Sequence, residues 1–233
     1  YLVERCTVSY SPSLTALLAM ARLGQQRKNR AATNGLLAVG VGDFGRRELR
    51  LPDAEPEAKA AAGLFGSRGE TLLGRQATRA SVRSVWGSYR YLHFATHGRL
   101  NETAPLYSAV VLSQSDSTDE GLLYARDLLE EELSAELVVL SACETGLGRQ
   151  VRGEGLQGLI WAWFVAGVPS TVASQWSVAD DSTARLMEEF YKALQGGKSK
   201  AEALRRAQLA LLKERKTRHP YFWAPFVLNG DPW

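Results

Sequence analysis

Two residues in this sequence have the type and the setting for nucleophilic chemistry. His97 follows the apolar run 91–96 (YLHFAT) and is itself followed by Gly98. Cys143 follows 137–142 (LVVLSA), and Gly146 comes three residues later. In an open α/β sheet the reactive groups collect just past the carboxyl ends of the strands, and both residues sit at such a place. A thiol next to an imidazole ionises more readily, and the imidazole can later return the proton to a leaving amine. Glycine lets a peptide backbone approach closely and lets an amide N–H turn toward a developing oxyanion. Histidine, cysteine and glycine in this pattern point to acyl transfer through a thioester.

The elements that must carry these residues alternate between short apolar runs and amphipathic stretches. The runs are 35–41, 71–73, 91–96, 109–112, 137–141, 170–174 and 226–228. Several are Val-rich and bounded by Gly, Pro or charge, as strands of a parallel sheet buried on both faces should be. Between them, 54–65, 154–166, 181–194 and 200–212 repeat apolar residues at helical spacing. In 154–166 that spacing puts Leu156, Leu159, Ile160, Trp163 and Phe164 on one face. Strand and helix in alternation predict an α/β fold with a mostly parallel sheet. Segment 1–10 is expected to pair as a strand at one end of that sheet, with Cys6 packed in it. A break is conceivable at the polar stretch 149–153.

Composition bounds the function. The chain has 233 residues, a net charge of +3 and two cysteines. That length suits one large domain with its own core. Two cysteines exclude a disulfide scaffold, and so small a charge gives no argument for nucleic acid. No apolar run approaches the twenty residues of a membrane span.

Rival motifs are weaker. His93 and His97 form H-x3-H, but on a strand they stand about 13 Å apart, too far for one ion. No metal is expected, and His93 reads as core or as support behind the site. Gly40-Val41-Gly42-Asp43-Phe44-Gly45 matches the dinucleotide fingerprint G-x-G-x-x-G. Such a site needs a helix to open at once, whereas here 46–51 runs into Pro52. There is no G-x-S-x-G elbow, and Ser141 alternates away from the residue after it. Glu144 either orients His97 or pairs with a basic neighbour, the structural role being preferred; Arg149 and Arg152 read as a solvated loop, with a processing site there as the alternative.

The words YLHFATHG (91–98), LVVLSACETGLG (137–148), GEGLQGL (153–159), VASQWSVADD (172–181) and HPYFWAPFVLNGD (219–231) resemble the CHAT family of caspase-like peptidases, often attached to tetratricopeptide repeats. The local pattern is also near a caspase signature, in which the histidine precedes the cysteine by about 50 residues. The resemblance implies a caspase-like three-layer α/β/α sandwich, read as a single domain over 1–233 that lacks its first strand and an upstream regulatory region. It implies a cysteine endopeptidase with His97 as base and Cys143 as nucleophile. The N–H groups of Gly98 and Cys143 would form the oxyanion hole. By analogy with clan relatives, a peptide would lie along 170–175, with backbone groups near Gln175 and the face of Trp176 in contact with it. Trp176 as a core plug is an equal alternative. The stretch QWSVADD resembles one in separase, which places Asp180 in a pocket for a basic residue; Asp180 as a helix N-cap is the other reading. The partners implied are a protein or peptide substrate and a regulatory repeat region or activator, in bacterial signalling or defence. No cofactor, membrane or nucleic acid is implied. A catalytic thiol suggests a reducing compartment, hence the cytoplasm. The rival function is a CHAT module that signals or scaffolds without turnover.

Overall fold

The structure, a computed structural model, describes residues 1–28, 34–141, 154–176, 178 and 180–233, without the side chains of Lys28 and Asp180. The strands are β1 (Asn34–Gly40), β2 (Gly69–Leu73), β3 (Tyr89–Ala95), β4 (Gly98–Arg99), β5 (Ala109–Val111), β6 (Leu122–Tyr124), β7 (Leu137–Leu140), β8 (Ser170–Ser174) and β9 (Phe226–Gly230). The helices are α1 (Leu14–Lys28), α2 (Ala54–Gly63), α3 (Arg79–Val85), α4 (Ala125–Leu128), α5 (Glu154–Val165), α6 (Asp180–Gln195) and α7 (Lys200–Lys213). Six strands form one sheet in the order β2-β1-β3-β7-β8-β9. All its pairs are parallel except β8–β9.

Central strands buried on both faces carry alternate side chains into two separate cores. Leu37, Val39, Leu92, Phe94, Val138 and Leu140 pack with Leu159 and Trp163 of α5. Leu36, Ala38, Tyr91, Ala95, Leu137 and Val139 face the opposite way, toward α2, α6 and α7. The helical spacing read in 154–166 holds, with Leu156, Leu159, Ile160 and Trp163 buried and Phe164 half-buried. Each such side chain contributes about 1.5–3 kcal/mol on leaving water. A one-residue slip between strands would turn these side chains to the wrong core.

Three expectations are corrected. Segment 1–10 is not a strand. Leu2–Glu4 is a 3-10 turn whose Val3 and Glu4 carbonyls accept from the Arg205 guanidinium, so they are not available to a ladder. Tyr10 makes an isolated bridge to Asn229 of β9. Cys6 is consequently exposed rather than packed in a strand. The run at 109–112 does not join the parallel sheet. It becomes β5 of a separate antiparallel sheet, in the order β4-β5-β6, directly after His97.

The end of the fold is locked by a buried ion pair. Lys200 Nζ lies 2.7 Å from Asp231 Oδ2, with the two side chains 4% and 2% exposed. The Asp231 main-chain carbonyl also accepts from Ser170 Oγ of β8. Removing one partner breaks the pair and leaves the other charge buried, so Asp231→Ala is expected to lower unfolding free energy by about 3–5 kcal/mol in urea titration. The double replacement Lys200→Met with Asp231→Leu is expected to recover most of that loss.

Candidate active site

Past β3 the chain runs through Thr96 and His97 into β4. Val111 N donates to His97 O at 2.9 Å, which stitches this turn to β5. Gly98 and Val110 are the next pair in that antiparallel ladder. Because the bond falls on the flanking residues, Gly98 and Val110 are a non-hydrogen-bonded pair, and the Gly98 N–H points away from β5. His97, Gly98, Thr96, Phe94, Val110, Leu140 and Leu159 line one small cleft.

The imidazole is held by backbone. His97 is 9% exposed, with Nε2 2.7 Å from the carbonyl of Leu49 and its ring centroid 4.8 Å from that of Phe44. A carbonyl oxygen only accepts, so Nε2 carries the hydrogen and the neutral ring presents a bare Nδ1. Burial pulls the His97 pKa below its ordinary value of 6.5, and this outweighs the Leu49 carbonyl, which favours the charged form.

Leu49 arrives through the glycine-rich run that imitates a dinucleotide site. Leu51 N donates to Gly42 O at 2.9 Å, and a Cβ on Gly42 would lie 2.7 Å from Leu51 O. Gly45 has φ +73°, the left-handed region that glycine enters without strain. The glycines therefore fold a strap back on itself over His97, through the 3-10 turn Arg47–Leu49. α2 opens only at Ala54, so the helix does not continue directly from the glycine turn; its first residues pack on Gly40, where a Cβ would lie 3.0 Å from Ala54 O. Nothing in residue types could have revealed the Leu49 carbonyl, since every residue has one. Phe44 lies inside that motif, and its residue type alone carries no signal of its contact with His97.

His93 serves other neighbours. It is fully buried, with Nδ1 2.9 Å from the Tyr191 hydroxyl and Nε2 3.1 Å from Glu57 Oε1. It thus joins β3 to α2 and α6 as a core group. Among the described residues no cluster of three His, Cys, Asp or Glu side chains is placed to hold a metal ion. Ser141 is buried, and its Oγ and N lie 3.3 and 3.1 Å from Phe94 O, which spends it on the β3–β7 junction.

At the far strand, Gln175 is exposed and its N–H already donates to Pro225 O at 3.0 Å. Trp176 is half-buried, with its indole N–H donating to Tyr221 O at 3.1 Å. It is a pinned rim group rather than a core plug. Asp180 is the first residue of α6, and its side chain lies outside the description. Cys143, Glu144, Arg149, Arg152 and the stretch 149–153 also lie outside the described residues.

A parallel central sheet with helices on both faces, and His-Gly past its middle strand, agree with the family match over residues 1–231. The chain belongs to the CHAT domain family. Mouse tetratricopeptide repeat protein 28 is 29% identical over 218 residues, covering 78% of this chain and 9% of that protein. The chain thus spans less than a tenth of this relative. Among solved structures, the Saccharomyces cerevisiae separase–securin complex matches with TM-score 0.60 and 11% identity, covering 97% of this chain and 14% of that one. The Arg-specific cysteine proteinase gingipain R matches with TM-score 0.56 and 12% identity, covering 91% and 51%. At such identities the likeness is one of fold, and the fold of this CHAT domain is caspase-like. No described helix is long and apolar enough to cross a membrane.

The surroundings of His97 set a titration test. In Cys143→Ala, burial still outweighs the Leu49 carbonyl, and His97 is expected to titrate below 6.5 by NMR, with Nε2 protonated in the neutral form. A lowered histidine pKa makes the unfolded chain the stronger proton acceptor. Stability of that variant is then present above about pH 6.5 and lost as pH falls through the folded value. With Cys143 in place, a thiolate partner is expected to move the His97 titration upward.

Proposed function

We propose that this CHAT domain is a cysteine endopeptidase in which His97 and Cys143 form the catalytic pair. The observation that carries the reading is strand register. Tyr91, Leu92, His93 and Phe94 pair in parallel with Leu137, Val138, Val139 and Leu140, each across 46 positions. His97 and Cys143 are separated by the same 46 positions. Two chains leaving adjacent parallel strands at one level, about 5 Å apart, can bring an imidazole and a thiol into contact.

In this mechanism the bare Nδ1 of His97 takes the Cys143 proton, while Leu49 O holds Nε2–H and stabilises the imidazolium. The thiolate attacks the scissile carbonyl. The N–H groups of Gly98 and Cys143 donate to the oxyanion, and the outward direction of the Gly98 N–H supports that role. His97 then protonates the leaving amine and activates the water that hydrolyses the thioester. Trp176, fixed by Tyr221 O, offers a flat wall to a substrate side chain beside Gln175. Asp180 at the start of α6 is assigned to a basic residue before the cleaved bond, a reading to which the Arg-specific neighbour lends support. The substrate is a protein, and a tetratricopeptide-type repeat region or an activator protein governs access to the site, in a reducing, cytoplasmic setting.

The burial of His97 beneath Phe44 and the strap favours a second reading, a domain that signals or scaffolds without turnover. A peptidyl acyloxymethyl ketone ending in Arg decides between them. It is expected to label Cys6→Ser, not to label Cys143→Ala, and to label His97→Ala about a hundredfold more slowly. Failure to label Cys6→Ser, with or without repeat-containing partners, leaves the scaffold. In a peptide-library profile, Asp180→Asn is expected to reduce preference for Arg and Lys by about tenfold or more. A wild-type profile indifferent to basic residues overturns the assignment of Asp180.

A further inference from the structure

The segment that bears Cys143 is bounded by Ser141 and Glu154, and both ends are tied to the chain that flanks His97. On one side, Ser141 N and Oγ bond to Phe94 O, three residues before His97. On the other side, the Glu102 carboxylate accepts from the first two N–H groups of α5. Glu154 N lies 3.2 Å from Oε2, and Gly155 N lies 3.3 Å from Oε1. These N–H groups have no partner within the helix, and a carboxylate there also meets the positive end of the helix dipole.

The chain from Leu100 to Ser108 is built to hold Glu102 in that place. Asn101 Oδ1 accepts from Thr103 N, Thr103 Oγ1 and Ala104 N, and Asn101 N donates to Ser108 Oγ at 2.9 Å. Tyr107 is covered by the Arg126 guanidinium, 4.5 Å from the ring centroid. α5 answers with two glycines. A Cβ on Gly158 would lie 2.4 Å from Pro105 Cβ, and one on Gly155 would lie 3.0 Å from Asn101 N. At Gly158 α5 approaches this chain more closely than a Cβ would permit, and at Gly155 a Cβ would fit only if its neighbours shifted.

We propose that Glu102, with Gly155 and Gly158, is a positioning brace that sets where the Cys143 segment re-enters the fold relative to His97. This rests on the pairing of His97 with Cys143 proposed above. Glu102 takes no chemical step in this proposal. It acts by fixing the first turn of α5 to the chain that continues from His97. Orientation of a catalytic pair is sensitive to small displacements, so loosening either contact separates imidazole from thiol.

The test uses the full chain in a Cys6→Ser background, which leaves Cys143 as the single thiol. The rate of alkylation by iodoacetamide is measured from pH 5 to 9 for this parent, for Glu102→Ala, Glu102→Gln, Gly158→Ala and His97→Ala, and for Leu204→Ala on the distant α7. The parent is expected to titrate well below an ordinary thiol near 8.5. Glu102→Ala and Gly158→Ala are expected to raise the apparent pKa by about one unit, a rate lower by up to about tenfold at pH values below the parent's own pKa. Glu102→Gln, which keeps one acceptor oxygen, is expected to lie between. Leu204→Ala is expected to lower Tm without moving the profile. Profiles for Glu102→Ala and Gly158→Ala that match a low-pKa parent overturn the brace and leave the catalytic pair standing. A parent that titrates as an ordinary thiol and is unmoved by His97→Ala overturns the pair, and the brace with it.

Discussion

The parallel pairing of β3 with β7 is the contact on which the rest of this domain depends. It runs from Tyr91 and Leu137 to Phe94 and Leu140, and it is continued by Ser141 N on Phe94 O. Its register is held by apolar side chains of the two cores. Leu92, Phe94, Val138 and Leu140 must meet Leu159 and Trp163 on one face, while Tyr91, Leu137 and Val139 meet α6 on the other. Strand side chains alternate with a strict period of two, so any odd slip exchanges the two sets. The level at which the chain reaches His97, and from which it departs toward Cys143, follows from the packing of the two cores.

Around His97 the fold uses main chain where a side-chain partner would be the obvious choice. The Leu49 carbonyl fixes the tautomer and orientation of the ring, and it carries no charge. A carboxylate in that position would raise the histidine pKa strongly. A carbonyl opposes desolvation only in part, and the imidazole stays easy to deprotonate. The cost is that the carbonyl must be delivered by backbone folding, which explains the close return of Leu51 on Gly42 and the left-handed Gly45. A second backbone device lies in α5, where Gly155 and Gly158 let the helix approach the chain around Glu102 and Pro105. In both places glycines remove a Cβ that would hold two segments apart.

Buried polar groups elsewhere hold the frame and take no part in the site. His93, Tyr191 and Glu57 tie the central strand to α2 and α6, and Lys200 with Asp231 ties α7 to the end of the chain after β9. Desolvation raises the Tyr191 pKa well above its usual range, so the hydroxyl stays neutral beside His93. Each group is costly to bury without its partner, and together they oppose alternative packings of helices on the sheet.

Much of this was legible in residue order. Apolar runs and helical spacing predicted the parallel sheet and four of its helices, because burial on two faces leaves a compositional trace in each strand. His97-Gly98 and Cys143 stood out because both follow such strands, and the shared words indicated the family. Other features left no local trace. Segment 1–10 alternates like a strand, yet Arg205, two hundred positions away, takes its carbonyls. The run at 109–112 has a buried composition that a small antiparallel sheet satisfies equally well. The glycines at 40–45 match a phosphate-binding word, and only the path of the following chain shows that they serve a strap. What the sequence by itself determined is the pair of candidate side chains, His97 and Cys143, and their order after apolar runs, since these depend on residue type and short-range periodicity. What only the tertiary structure decided is how they are held. The Leu49 carbonyl, the direction of the Gly98 N–H and the anchoring of α5 by Glu102 are contacts between chemically ordinary groups, made specific by the approach of distant segments.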